Sequence, residues 1–193
     1  MIKLKTPVSE REIRALYVGD TVLLSGIIVT ARDAAHKLMV EEKPDFIREF
    51  LHESMIYHCG PVVKKDEKGI WKFVSAGPTT SAREEPYQAQ VIKEYNVRGV
   101  IGKGGMGAIT AQGLQEQGAV YLHAVGGAGT LIANTVTEVI NVFKLEEFGT
   151  PEAFWVIRVD ELPLVVTMDA HGGSLHKKVL DNSRRIADNL IEH

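Results

Sequence analysis

Cysteine is almost absent from this chain, in which Cys59 is the only one among 193 residues. A single thiol excludes an internal disulfide, and it cannot by itself hold an iron–sulfur cluster or a zinc–thiolate site. The scarcity of cysteine also indicates a reducing compartment. Cys59 directly precedes a Gly-Pro turn, and we expect it to be buried and inert rather than a nucleophile.

Long apolar runs and a strong excess of one charge sign are missing as well. No apolar segment reaches the ~18–20 residues that span a bilayer, and residues 1–7 lack the apolar core of a signal peptide. The net charge of −3, from 22 basic and 25 acidic residues, argues against a general nucleic-acid or membrane partner. The sequence therefore predicts a cytoplasmic protein, and its length predicts one domain over residues 1–193.

The hydrophobic pattern predicts an α/β protein with more than one layer. Strands and helices alternate in the middle of the chain, which predicts parallel pairing there, and strand-only stretches on either side predict a mixed sheet or a second sheet. A capping box of Ser9 and Glu12 marks the first helix. Helices are predicted over residues 9–17, 33–41, 44–52, 84–95, 108–117, 130–137 and from about 174 onward. Strands are predicted over residues 21–30, 54–57, 61–64, 71–75, 97–101, 119–125, 138–144, 155–159 and 163–168.

Three short loops each carry one cation among small residues. They are residues 30–36 with Arg32, residues 77–83 with Arg83 and residues 102–107 with Lys103. Glycine and small side chains allow backbone N–H groups to approach a ligand closely. Arginine offers a planar fork that matches a carboxylate, and lysine offers a point charge. We therefore expect that these loops, if they converge, form a pocket for a small anion with more than one carboxylate.

The third of these loops allows several interpretations. Residues 102–107, Gly-Lys-Gly-Gly-Met-Gly, fit the G-x-G-x-x-G pattern and lie between a predicted strand and a predicted helix. The next strand leads into Ala-Val-Gly-Gly at 124–127, however, without the acidic residue that would hold a ribose. The loop is not a P-loop either, because Lys103 directly follows the first glycine. A nucleotide-binding protein, a carboxylate site at the helix N-terminus and a plain tight turn all stay open here.

The hydroxyl-rich loop and the histidine of the first loop also have two interpretations each. Thr79, Thr80 and Ser81 could cap the following helix or bind a ligand oxygen. Arg83 favours the functional interpretation, because the start of a helix does not otherwise favour a cation. His36 could move protons near neutral pH, or it could lie at the surface or the edge of the core.

Two aspartates are expected to have structural roles. Asp33 suits the N-cap position of the helix over residues 33–41. Asp169 and His171 form an Asp-x-His pattern that could contribute to a metal site, but two candidate ligands at that spacing favour a structural turn.

The order of these motifs resembles one family closely. Its similar segments are Thr-Ala-Arg-Asp-Ala-Ala-His (30–36), Tyr-His-Cys-Gly-Pro (57–61), Gly-Pro-Thr-Thr-Ser-Ala-Arg (77–83), Gly-Lys-Gly-Gly-Met (102–106) and Met-Asp-Ala-His-Gly (168–172). Together they resemble the β subunit, or C-terminal domain, of the class I iron–sulfur fumarases, of which the β subunit of L(+)-tartrate dehydratase is a close relative. The resemblance covers essentially the whole chain and implies a three-layer β/β/α domain of the swivelling type.

The resemblance also implies roles for single residues. Arg32, Arg83 and Lys103 match the cations that bind the substrate dicarboxylate. Thr79 matches a threonine that takes or relays a proton, and His36 matches a histidine of the active site. A [4Fe-4S] cluster would be held by three cysteines of an α subunit, so this chain would bind no metal of its own.

The implied reaction is the reversible hydration of fumarate to (S)-malate by an α2β2 assembly, in which the isolated β chain is inactive. Ala31 before Arg32 and the stretch 169–175 are closer to fumarase than to tartrate dehydratase. The alternatives are the β subunit of L(+)-tartrate dehydratase, a nucleotide-binding protein that uses residues 102–107, and a dicarboxylate-binding module without enzymatic activity.

Overall fold

A computed structural model describes residues 1–191 and confirms an α/β fold. The strands are β1 (Ile2–Lys5), β2 (Thr21–Thr30), β3 (Met55–Tyr57), β4 (Val62–Lys65), β5 (Trp71–Ser75), β6 (Gly99–Gly102), β7 (Val120–His123), β8 (Val136–Phe143) and β9 (Phe154–Met168). The α-helices are α1 (Glu10–Arg14), α2 (Asp33–Glu41), α3 (Arg48–Leu51), α4 (Glu85–Tyr95), α5 (Ala108–Gln117), α6 (Gly129–Ala133), α7 (Leu145–Phe148) and α8 (Leu175–Ile191). Two 3-10 turns cover Asp45–Ile47 and Ser81–Glu84.

Seven strands form one mixed sheet in the order β1-β2-β3-β6-β7-β9-β8. The strands from β1 to β7 in this order run parallel to their neighbours, as strand–helix alternation predicts. The long strand β9 runs antiparallel to β7 and also pairs with β2 along most of its length. Strands β2, β3, β6, β7 and β9 therefore close into a ring.

Two hydrophobic cores lie on opposite faces of this sheet. On one face, helices α2, α3, α4 and α5 bury residues such as Met39, Leu51, Ile92 and Leu114. On the other face, helices α1 and α6 and the β4–β5 hairpin pack over the strands, with Trp71 of the hairpin in contact with the cluster. The alternation of side chains along the strands explains this division, since successive residues face opposite cores. Helices thus cover one face of the strands, and the hairpin with two short helices covers the other, which is consistent with a three-layer α/β domain.

The predicted secondary structure differs from the structure in several places. The helix predicted over residues 130–137 ends at Ala133, because Val136 and its successors pair with β9 as strand β8. The two strands predicted over 155–159 and 163–168 are one strand, because a bulge absorbs the interruption: Glu161 has φ of 50° and the register with β2 shifts between Leu24 and Gly26. Strand β1 was not predicted at all, although its apolar and lysine residues alternate.

Other predicted elements are confirmed with small shifts in their ends. The capping box is present, since the Ser9 hydroxyl accepts from the Glu12 N–H while Glu12 accepts from the Ser9 N–H. The helix predicted over residues 44–52 is a 3-10 turn followed by the single turn of α3. Over residues 1–191, no helix has both the length and the apolarity that crossing a membrane requires.

Candidate active site

The candidate site lies where the parallel strands end. Strands β2, β3, β6 and β7 all point their carboxyl ends to the same edge of the sheet, which is the edge at which α/β proteins place their ligands. Arg32 follows the end of β2 by two residues, and Lys103 directly follows β6. The sheet therefore brings the first and third predicted loops to one edge.

The second loop is threaded between these strand ends by backbone hydrogen bonds. The Thr79 N–H donates to the His58 carbonyl oxygen at 2.8 Å, and the Lys103 N–H donates to the Thr79 carbonyl oxygen at 3.3 Å. The Ser81 N–H then donates to the Lys103 carbonyl oxygen at 3.0 Å. Short bridges of Cys59 with Pro78 and of Thr80 with Lys103 complete the connection. Backbone hydrogen bonds thus join the second and third loops and hold Thr79 beside Lys103.

Arg32 is held by one carboxylate and one close glycine. Its Nη1 atom lies 3.3 Å from Oε1 of Glu152, whose other oxygen accepts from the Ala34 N–H at 3.0 Å. A Cβ atom at Gly60 would lie 2.8 Å from that Nη1 atom, so a larger residue there would displace the guanidinium from its present position. Nε of Arg32 is buried and finds no acceptor among residues 1–191. One donor of this cation is therefore left without an acceptor among the described residues.

Arg83 is more exposed than Arg32, and Lys103 is partly buried. Arg83 forms an ion pair with Asp33, the residue after Arg32, and about half of each side chain is exposed. This pair places Arg83 next to the first loop. The Lys103 side chain lies beside Gly126, since a Cβ atom added to this glycine would be 3.7 Å from the lysine Cδ. None of the ion pairs found within residues 1–191 involves Lys103.

Thr79 carries a second unpartnered polar atom at this edge. Its Oγ1 is buried and makes no hydrogen bond to the part of the chain that the structure describes. A buried hydroxyl without a partner costs free energy, so such an atom is usually satisfied by a ligand or by water. The loop that carries it does not use it for capping, because none of the Thr80, Ser81 or Thr79 hydroxyls caps the following helix.

His36 does not lie where a substrate could reach it within this chain. It is fully buried, its Nδ1 lies 2.9 Å from the Arg32 carbonyl oxygen, and its Nε2 lies 2.9 Å from the Gln88 amide. Burial lowers the pKa of His36, so its ring is neutral. Since a carbonyl can only accept, the Nδ1–H donates to Arg32. The prediction that His36 lies at the surface or the core edge is therefore wrong, and its link to the site runs through the Arg32 backbone.

The chain of buried polar groups continues beneath the loops. Gln88 also contacts Nε2 of His58 at 2.7 Å, and Nδ1 of His58 lies 2.8 Å from the Ser81 hydroxyl, which in turn contacts the Tyr121 hydroxyl. Burial holds the pKa of His58 well below its usual range, and His36 adds to this effect. The Gln88 Oε1 atom faces Nε2 of both rings, and the Gln88 amide nitrogen has no partner among the described residues. Oε1 can accept the Nε2–H of His58, and the network links the Arg32 carbonyl to the Ser81 hydroxyl.

The glycine-rich loop already holds a carboxylate from this chain. Glu85, the first residue of α4, accepts hydrogen bonds from the N–H groups of Gly107, Ile109 and Thr110 and from the Thr110 hydroxyl, at 2.7 to 3.2 Å. These are the donors at the N-terminus of α5 that a pyrophosphate or a substrate carboxylate would use. The structure therefore argues against both the nucleotide-binding interpretation of residues 102–107 and a carboxylate ligand at this helix end.

Several smaller expectations can also be compared with the structure. Arg32, not Asp33, occupies the N-cap position of α2. Asp169 organises a turn, as expected, by accepting from the N–H groups of Val18, His171 and Gly173. Over residues 1–191, no group of three or more potential metal-binding side chains comes together. Cys59 is buried, and this burial raises its thiol pKa to about 12, which confirms the inert interpretation.

Three residues of this region were not found from the sequence. Glu152 lies in the connection before β9, far along the chain from Arg32, and no local pattern marks it. Gln88 and Glu84 lie in the segment 84–95, where they are polar residues at buried positions. The one sequence signal for these two residues is their spacing: Gln88 lies one helical turn after Glu84, so both lie on the same face of the helix. The apolar stripe of this helix does not indicate that these polar residues are buried.

Comparisons with known proteins identify a family and several relatives of this chain. The sequence model of the family described as "Fumarase C-terminus" matches residues 1–179. The chain is 49% identical over 183 residues to a protein of Geobacillus stearothermophilus named "Putative fumarate hydratase class I". That match covers 95% of this chain but 35% of the relative, so the chain spans about a third of that protein's length.

Two further relatives match over nearly their whole length. A Methanocaldococcus jannaschii protein named "Putative L(+)-tartrate dehydratase subunit beta" is 43% identical over 190 residues, which cover 95% of this chain and 94% of the relative. The "L(+)-tartrate dehydratase subunit beta" of Escherichia coli strain K12 is 37% identical over 195 residues, with coverage of 98% and 96%.

Proposed function

The chain belongs to the family of the fumarase C-terminus, and we propose that within this family it serves as the β subunit of an iron–sulfur hydro-lyase that hydrates fumarate reversibly to (S)-malate. In this role it supplies the cations that hold the dicarboxylate. An α subunit supplies the [4Fe-4S] cluster, in an α2β2 assembly located in the cytoplasm. Arg32, Arg83 and Lys103 bind the substrate, and Thr79 handles a proton.

One observation carries this proposal. Two buried polar atoms, Nε of Arg32 and Oγ1 of Thr79, have no partner within residues 1–191, and both lie in loops that meet at the carboxyl edge of the sheet. An oxygen-rich anion between these loops would accept from Arg32 and contact Thr79. Arg83 and Lys103 border the same edge and are accessible enough to reach a second carboxylate.

The chemistry of hydration explains why fixed cations are useful here. When a proton is removed from the carbon next to a carboxylate, negative charge accumulates on the carboxylate oxygens. Cations aimed at those oxygens stabilise the transition state more than the ground state. The Arg32 guanidinium is held in place for this by Glu152, by Gly60 and by the hydrogen bond from His36 to its own carbonyl.

Thr79 and His36 then have different tasks. A threonine hydroxyl is a weak base unless a neighbouring group assists it. Thr79 is held by its backbone beside Lys103, whose charge would favour the deprotonated oxygen. His36 is a positioning residue in this proposal, because its ring reaches the site only through the Arg32 carbonyl.

The iron–sulfur cluster is assigned to the partner because of the donors available in this chain. Cys59 is the single cysteine, and its thiol is buried and strongly resists deprotonation. When bound by the partner, the cluster acts as a Lewis acid on the hydroxyl group that is added or removed. This chain holds the opposite end of the same substrate.

A second candidate function is the dehydration of L(+)-tartrate. Two named tartrate dehydratase β subunits match at least 94% of their own length, whereas the fumarate hydratase with higher identity is a longer protein. Tartrate is also a four-carbon dicarboxylate, and the same three cations could bind it. The two substrates differ in one group, because tartrate carries a hydroxyl group on both central carbon atoms and malate carries it on one.

Reconstitution of the enzyme tests this function. The chain is purified alone and is then mixed under anaerobic conditions with the cluster-bearing partner encoded in the same genome. Each sample is assayed with fumarate, (S)-malate and L(+)-tartrate. We expect fumarate hydration only after mixing. Tartrate as the preferred substrate would support the second candidate, and activity of the β chain alone would contradict the division of labour.

A further inference from the structure

Glu84 is a buried carboxyl group directly behind the candidate site. It is the last residue of the 3-10 turn Ser81–Glu84, between the exposed Arg83 and the helix-capping Glu85. Its side chain is fully buried, and neither carboxyl oxygen has a hydrogen-bond partner within residues 1–191. An ionised carboxylate in such a place is costly, so its protonation state depends strongly on the charges around it.

Those charges belong to the substrate loops. The groups whose fields act on Glu84 are Asp33 at the start of α2, Arg32 before it and the adjacent Arg83, and Glu84 in turn acts on Tyr121 of β7. The two histidines beneath the loops are neutral and reach this helix only through Gln88, one turn further along α4. Burial and, to a smaller extent, the charge of Asp33 raise the pKa of Glu84 to about 7, although its own backbone N–H and the two arginines oppose the increase.

A bound dicarboxylate changes this balance. Two of the three substrate cations already have an internal carboxylate, Glu152 for Arg32 and Asp33 for Arg83. With Glu84 ionised, the cluster is close to neutral before any ligand arrives. A dianion at these cations then adds negative charge near a buried carboxyl group that has no hydrogen-bond partner among the described residues, and this added charge favours its protonated form.

We propose that Glu84 takes up a proton when a dicarboxylate binds at Arg32, Arg83 and Lys103, so that substrate binding and protonation of this buried carboxyl group are linked. The inference rests on the proposed function, because it needs a dianion at these cations. Glu84 is not a catalytic residue here, since it acts on the substrate through charge and not through contact.

The direction of the pH dependence follows from this linkage. Below about pH 6 Glu84 is already protonated, so binding takes up no proton at this position. Between the pKa of the free enzyme and the higher pKa of the complex, affinity falls as the pH rises. Each unit by which the ligand raises the pKa of Glu84 corresponds to an affinity loss of about tenfold across that range.

Isothermal titration calorimetry of the assembled enzyme tests the inference. The ligand is an equilibrium mixture of fumarate and (S)-malate, on which the enzyme performs no net reaction. Titrations near pH 7.5 in two buffers of different ionisation enthalpy give the number of protons taken up. We expect the wild type to take up a substantial fraction of one proton, the Glu84→Gln variant to take up much less and to bind with little pH dependence, and the exposed control Glu42→Gln to behave as the wild type.

The outcomes separate this inference from the proposed function. Binding by the wild type without proton uptake overturns the inference and leaves the proposed function standing, and this result needs no variant. Proton uptake that persists in Glu84→Gln also overturns it, because another group then takes the proton. If the assembled enzyme binds neither fumarate nor malate, the proposed function fails and the inference fails with it.

Discussion

The three candidate cations differ in what holds them. Arg32 is largely buried and is fixed by Glu152, and Arg83 is half-exposed and pairs with Asp33. Lys103 lies beside Gly126 without an ion-pair partner in the described residues. An exposed ion pair such as that of Arg83 contributes little to stability, so this side chain can exchange Asp33 for a ligand at small cost. Arg32 is therefore the fixed part of the site, and Arg83 and Lys103 are its adjustable parts.

Replacing Arg83 by alanine is expected to damage catalysis and to leave stability almost unchanged. If Arg83 stabilises charge on the substrate carboxylate, kcat/KM for fumarate falls by about 10²–10³-fold in the assembled enzyme. Steady-state kinetics and a urea unfolding curve measure the two effects. Lys37→Ala serves as the control, because Lys37 is exposed and pairs only with Glu41 on the same helix. A loss of activity below about fivefold in Arg83→Ala would remove this residue from the site.

The sequence predicts the positions of these cations better than it predicts their surroundings. A loop that ends a strand and carries one cation among small residues is a local pattern, and it selects Arg32, Arg83 and Lys103 as candidates. The burial of His36 is not local, because it results from Gln88 and His58 in other elements. The pairing of Arg32 with Glu152 joins residues far apart along the chain, so no spacing rule could have found it.

Helix α5 shows how one element can decide between two interpretations of a motif. The N–H donors at its N-terminus bind the Glu85 carboxylate from α4. This contact links α4 to α5, and it leaves those donors occupied where a phosphate would otherwise bind. The sequence contains both partners, but Glu85 and Gly107 are 22 positions apart, and no local pattern relates residues at that separation. The length and type of α2, α4 and α5 were predictable, because each helix is long enough for its apolar residues to show a helical period. The short strand β1 was not predicted, and the helix that contains α6 was predicted too long, because tertiary pairing decides both elements.

Loss of the Glu85 carboxylate should weaken the whole chain. Glu85→Ala leaves three backbone donors and one hydroxyl at the start of α5 without their acceptor, and we expect the free energy of unfolding to fall by about 1–3 kcal/mol. Urea unfolding of the isolated chain measures the change, with Glu42→Ala at an exposed position as the control. Equal stability of the two variants would show that water replaces the carboxylate fully.

At the scale of the whole molecule, stability is concentrated in the closed ring of strands. Strand β9 contributes most to the closure, since it pairs with β2, β7 and β8 and buries both of its faces over much of its length. The β4–β5 hairpin is mostly exposed on its outer side, and α8 has no buried residue in the part that the structure describes. The family model also ends at residue 179, within this last helix.

Hydrogen exchange should reproduce this distribution. Amides in β2, β3, β6 and the ring-forming part of β9 are expected to exchange most slowly, because they open only when the ring unfolds. Amides of α8 and of the β4–β5 hairpin should exchange faster by several orders of magnitude. Exchange of the isolated chain, followed by mass spectrometry of peptides or by NMR, measures these rates. Protection of α8 equal to that of β2 would contradict the ranking.

The consecutive residues Arg83, Glu84 and Glu85 have consequences for engineering. One side chain reaches Asp33 at the surface, the next enters the interior, and the third crosses to α5. An insertion or deletion in this turn would move Arg83, Glu84 and Glu85 together out of their separate environments. Ligand preference should therefore be changed by substitution and not by a change in the length of this turn. Transplants between homologues should therefore carry residues 81–85 as an undivided block, with point replacements reserved for the arginine alone.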